Sequence, residues 1–159
     1  MSTDATFEDG REAPLNIAAI DKEDLKTLSA LAQDAVFPSS EMRYISRDKR
    51  FVILLNRFRW EDADQAQNRK RAPERVQSLL VISNVEKVAS QGVPRGDADM
   101  VMALLAMAFE RTDAPSGHLT LTFAGDGALR LTVEALDVTL KDVTRPYIAP
   151  SRKIPSHPE

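Results

Sequence analysis

Apolar and polar residues alternate with a period of two along most of this chain, and in one stretch they recur with the period of a helix. "LNIAAI", Leu15 to Ile20, reads as a short strand. Asp21 then stands where a helix N-cap is expected, with Glu23 and Asp24 in the first turn, where the helix dipole favours acids. Leu25, Leu28, Leu31, Ala32 and Ala35 fall on one helical face, which predicts an amphipathic helix over Lys22 to Asp34. Val36, Phe37 and Pro38 mark its exit.

Beyond the helix the pattern is that of strands. "EMRYIS", "RDKR" and "FVILLNRFRW" give strand, polar turn and strand, hence a hairpin. Glu61 to Glu74 is a polar loop, and "RVQSLLVISNVEKVAS" is either one bent strand or two strands broken near Asn84. Gln91 to Asp99 is a second loop. "MVMALLAMAFE" suits a helix by propensity and a strand buried on both faces by pattern, and is read as strand from about Ala103. "HLTLTF", "AGDG" and "ALRLTVEALDVTL" form a further hairpin, whose phase slip between Val133 and Leu136 predicts a bulge near Glu134 or Ala135. A polar, acidic N-terminus (1–13) and a proline-rich C-terminus (146–159) read as disordered tails around one domain spanning 14–145. The predicted fold is α+β, with the N-terminal helix on a mainly antiparallel sheet of six to eight strands. That sheet is curled into a partial barrel or a sandwich.

Charge and chemistry change this picture in one region. The chain of 159 residues carries a net charge of −3, yet Arg43 to Arg75 holds ten Lys/Arg against five Asp/Glu, a local +5 that leaves −8 elsewhere. Such asymmetry can steer an anionic partner. Within it, "NRFRWED" places Arg57 and Arg59 between Phe58 and Trp60. Strand alternation puts Val52, Leu54, Asn56, Phe58 and Trp60 on one face and Phe51, Ile53, Leu55, Arg57 and Arg59 on the other. The expectation is that Phe58 and Trp60 point into the core and both arginines point outward. An anion or partner site would then form if Arg57 and Arg59 met Arg69, Lys70, Arg71 and Arg75 of the following loop.

Catalytic chemistry finds little in the sequence. With no cysteine and only His118 and His157, a disulfide, a thiol nucleophile and a zinc site are not expected, and no cofactor is implied. The carboxylates of Glu61 to Asp64 and of Asp97 to Asp99 lack the glycine and closing glutamate of a calcium loop. "GDG", Gly125 to Gly127, is a hairpin turn and not a phosphate cradle, since a strand and not a helix follows it. The longest apolar run, Met100 to Phe109, is too short to cross a bilayer, and the N-terminus has no signal-peptide character, so a cytoplasmic protein without membrane contact is expected.

"LNIAAIDKEDLKTLSALAQDAVF", "MRYISRDKRFVILLNRFRWED" and "LTFAGDGALRLTVEALDVTLKDV" together resemble a family of small uncharacterised alphaproteobacterial proteins, classed as a domain of unknown function. The resemblance covers roughly residues 15 to 145 and implies neither an activity nor catalytic residues. Three functions stay open on these grounds. The leading one is a non-enzymatic binding domain that uses the Arg57/Arg59 face toward a protein partner or a second copy. The second is a nucleic-acid-associated protein holding phosphates through Arg43 to Arg75. The third is a small-molecule enzyme with a site dispersed over Asp, Glu, Arg and Tyr residues.

Overall fold

The computed structural model describes residues 13–62, 74–93 and 100–148. Among these residues eleven strands and one α-helix follow one another as β1 (Asn16–Ala19), α1 (Lys22–Ala32), β2 (Ala35–Pro38), β3 (Met42–Ile45), β4 (Arg50–Phe58), β5 (Glu74–Ile82), β6 (Val85–Gln91), β7 (Val101–Arg111), β8 (Gly117–Phe123), β9 (Ala128–Val133), β10 (Val138–Asp142) and β11 (Tyr147–Ile148). The fold is α+β, one helix on a large, open, antiparallel sheet. Its order is β1-β10-β5-β4-β2-β7-β8-β9-β6, with β3 added to β4 and β11 to β5.

Local chemistry accounts for the elements. Asp21 caps α1 by accepting from the Asp24 amide at 2.8 Å, as its position predicted. Leu25, Leu28 and Ala32 are the buried stripe of the helix. At the β3–β4 turn Lys49 adopts the left-handed conformation, and at the β8–β9 turn Gly125 and Asp126 do so. Asn84, also left-handed with φ 60°, separates β5 from β6, which pair with different neighbours. Thus the apolar stretch from Arg75 to Ser90 is two strands, one of the two readings left open by its pattern.

Several expectations are corrected. The sheet has eleven strands and not six to eight. Ala35 to Pro38 is a strand rather than a helix exit, held by β7 and meeting β4 at Asn56. β7 runs through the whole ambiguous segment and alternates in burial, so it is covered on one face, not two. The slip after Val133 is a strand break, because β9 ends there and β10 crosses to pair with β1 and β5. The ordered chain also continues past 145, where Tyr147 and Ile148 pair with Arg75 and Glu74. Residues 1–12 and 149–159, which make up most of the two predicted tails, lie outside the described residues, as do 63–73 and 94–99 in the predicted loops.

The core lies between α1 and the inner face of the sheet, and includes Phe37, Phe51, Ile53, Leu55, Leu80, Ile82, Leu104, Leu121 and Phe123. One glycine there is fixed by close approach. A Cβ on Gly117 would sit 2.5 Å from the Phe109 ring and 2.6 Å from the Glu110 carbonyl oxygen. The carbonyl is backbone in the paired strand and cannot swing away. Gly117→Ala is therefore expected to cost about 1–3 kcal/mol by overpacking, read as a lowered urea midpoint.

Candidate functional site

The inner column of β4 is Phe51, Ile53, Leu55 and then Arg57, so the side chain expected outside is inside. Arg57 is 0% exposed and Arg59 is 3% exposed. The reason lies on neighbouring strands. Ser78 of β5 and Asp142 of β10 are polar residues in otherwise apolar inner columns, and register places them opposite one another. Arg57 donates from Nε to Ser78 Oγ at 3.0 Å and from Nη2 to Asp142 Oδ1 at 3.0 Å and Oδ2 at 3.1 Å. It also forms a two-pronged pair with Glu61, Nη1 to Oε1 at 2.9 Å and Nη2 to Oε2 at 2.7 Å. Asp142 further accepts from Ser78 Oγ at 2.6 Å and from the Leu15 amide at 2.9 Å. The guanidinium therefore ties β4 to β5 and β10, and Asp142 extends the clasp to the residue before β1.

Burial works to raise the Glu61 pKa, but hydrogen bonding and charge from Arg57 outweigh it and hold that carboxyl below its usual range. Burial likewise disfavours the Arg57 charge, and Glu61 followed by Asp142 more than restores it. Arg59 is tied to Glu74 at 2.7 Å and to Asp62 at 3.4 Å, and its amide donates to the Glu74 carbonyl. These two arginines are the internal partners of carboxylates. The expected outward-facing pair does not exist.

Phe58 is buried as well, on the opposite face, under Trp60 in an edge contact with centroids 4.7 Å apart. Trp60 is half-buried and donates to the Gln33 carbonyl at 3.0 Å, just past α1. Val52 and Leu54, predicted to share a core column with them, are half-buried on the outer face. Of the other predicted site residues, Arg75 lies 6.0 Å over the Phe58 ring and donates to the Asn56 carbonyl. Arg69, Lys70 and Arg71 lie outside the described residues. The three described cations have separate partners, Arg57 with Asp142 and Glu61, Arg59 with Glu74 and Asp62, and Arg75 with the Asn56 carbonyl.

What the strands do bring together is an outer surface. Leu54 of β4 is level with Leu79 of β5 and Lys141 of β10, and Val52 is level with Val81, Thr139 and, on its other side, Arg43. Asn56 is level with Gln77 and Val36, and Tyr147 with Arg75. Pro38 pairs with Val101, which is 71% exposed, and Val143, 48% exposed, donates its amide to the Gln77 carbonyl. Aliphatic side chains dominate this face, because every second residue of β4 and β5 that points away from the core is also Val or Leu from Val52 to Leu54 and from Leu79 to Val81. Among the described residues α1 lies on the other, inner side of the sheet, and on this face Trp60 lies over Phe58. Arg43, Arg50 and Lys141 are exposed here, and their side chains make no ion pair or hydrogen bond among the described residues.

Elsewhere, a cleft of about 710 Å³ opens between the start of α1 and the β7–β8 end, floored by Phe109, Pro115 and Leu136. Its rim mixes Arg111 and Lys22 with Asp21 and Glu23, so it presents no net sign to a ligand. Among the described residues no group of three or more His, Asp or Glu could hold a metal ion. No helix among them is long and apolar enough to cross a membrane.

No curated protein and no solved structure matches this chain. A family model does match, over residues 15–157, and it therefore reaches past the boundary at 145 and includes β11. On that match the chain belongs to the family described as protein of unknown function (DUF2948).

Proposed function

We propose that this chain is a non-enzymatic protein-interaction domain of the cytoplasm that binds through the outer face of β10, β5, β4 and β2. The observation that carries this reading is the contiguous, half-buried aliphatic group of Val52, Leu54, Leu79 and Val81 on the sheet face opposite α1, with the strongly exposed Val101 and Val143 on the same face. Scattered surface aliphatics are ordinary, whereas a contiguous group on a sheet face costs solvation unless something covers it. The cations of this surface are Arg43, Arg50 and Lys141, with Arg75 at its border, in place of Arg57 and Arg59. The interior ion pairs serve the framework that holds the face in shape.

A photo-crosslinking amino acid placed at Leu79 tests the reading in cells of the native host. An adduct to another macromolecule is expected from Leu79 and not from Thr122, an exposed outer position on β8. Equal yields from both positions, or none from Leu79, would remove the face from consideration.

A further inference from the structure

We infer that the occupant of this face is an acidic amphipathic helix of another protein, an inference that rests on the interaction reading above and names its partner. The aliphatic group is two strands wide, Val52 and Leu54 on β4 beside Val81 and Leu79 on β5. Strands lie ~4.8 Å apart and a helix with its side chains is ~10 Å across, so one helix lying along β4 and β5 covers that group. The flanks are cationic on both sides. Lys141 stands on β10 beyond β5, Arg43 stands on β3 beyond β4, and Arg50 closes one end of β4. All three lack carboxylate partners among the described residues. The outward positions of β3, β4, β5 and β10 contain no carboxylate. A helix with an apolar stripe between two rows of Glu or Asp matches this arrangement in both shape and sign.

The charge layout also discriminates between occupants. A second copy docking through the same face would set cations against cations with no carboxylate in the surface to relieve them. A single-stranded nucleic acid needs aromatic platforms among the cations, and the centre of this face is aliphatic.

The test uses the full chain and two soluble helical peptides with the same leucine stripe, one flanked by glutamates and one by lysines, read by fluorescence anisotropy. The glutamate helix should bind the wild type, more weakly at high salt. In Arg43→Glu/Lys141→Glu its Kd should rise by about tenfold or more, while the lysine helix gains affinity for that variant. Both substitutions are at exposed positions, and an unchanged far-ultraviolet circular dichroism spectrum checks the fold. Equal binding of both peptides to the wild type would overturn the acidic class and leave the interaction face standing. Absence of binding by either peptide would also overturn it, and the Leu79 crosslink then decides whether the face survives. Displacement of the glutamate helix by an oligothymidine strand, or a concentration-dependent dimer by light scattering, would reassign the face to nucleic acid or to self-association.

Discussion

Replacing Asp142 by asparagine is expected to cost about 3–5 kcal/mol of folding stability, because it leaves a fully buried guanidinium short of a charge. Asp142 accepts from Ser78 Oγ on Oδ1 and from the Leu15 amide on Oδ2, and an asparagine has one acceptor oxygen for the two, so the loss combines the missing charge with one broken hydrogen bond. Glu61 alone would then face Arg57, and its side chain is 31% exposed, where attraction is weaker. Arg57→Met should be similarly severe, since it strands the Asp142 carboxylate at 4% side-chain exposure. The double variant Arg57→Met/Asp142→Asn should cost clearly less than the two singles added together, because each single leaves a buried charge that the double does not. Urea denaturation of the four proteins measures this, and strict additivity would show that the contact carries no coupling energy. Acid supplies a second readout. The folded-state pKa of Glu61 is lowered, so its contribution is present above the unfolded value of about 4.3 and is lost as pH falls through the folded one. The wild type should therefore lose stability more steeply on acidification below that value than Glu61→Gln does.

The clasp also shows where sequence reading reached and where it stopped. Helix α1 was legible to its cap, because Asp21 and the Leu25, Leu28 stripe are local signals. The β3–β4 and β8–β9 hairpins were legible for the same reason, each having a polar turn between alternating strands. Arg57 was not, since both faces of "FVILLNRF" start apolar and the choice between them rested on where a cation belongs. That rule fails when partners are supplied from 21 and 85 residues away. A signal was nevertheless present. Ser78 and Asp142 each interrupt an apolar alternation, Val76-Ser78-Leu80 and Val138-Leu140-Asp142, and three polar interruptions in three strands are what a buried ion pair with its hydrogen-bond partner looks like in one dimension. The outer face was hidden for a related reason. Arg43 and Lys141 are far apart in the chain, and only the β3-β4-β5-β10 order sets them on opposite sides of one aliphatic surface.

Leu28→Ala is expected to cost about 2–5 kcal/mol, whereas Lys26→Ala, on the exposed side of the same helix, should stay within about 0.5 kcal/mol. The contrast follows from how α1 is held. Eleven residues are too few for a helix to persist alone in water, so its stability comes from docking. Leu28 is 0% exposed within the core that the sheet's inner face completes, and α1 packs against β7, β1 and β4. Ser29 extends that docking to the backbone, its Oγ accepting from the Met107 amide at 2.9 Å beside the register shift between Leu104 and Ala106. A cavity beneath Leu28 would thus loosen the helix from the strand that holds it through this side-chain bond. Trp60 reports on the event, because its indole donates to the Gln33 carbonyl one residue past the helix. If α1 and the sheet form one cooperative unit, Trp60 fluorescence and far-ultraviolet circular dichroism should shift to lower urea together in Leu28→Ala. An earlier fluorescence transition would instead show the helix undocking before the sheet unfolds, and the inner face would then be a surface that can open.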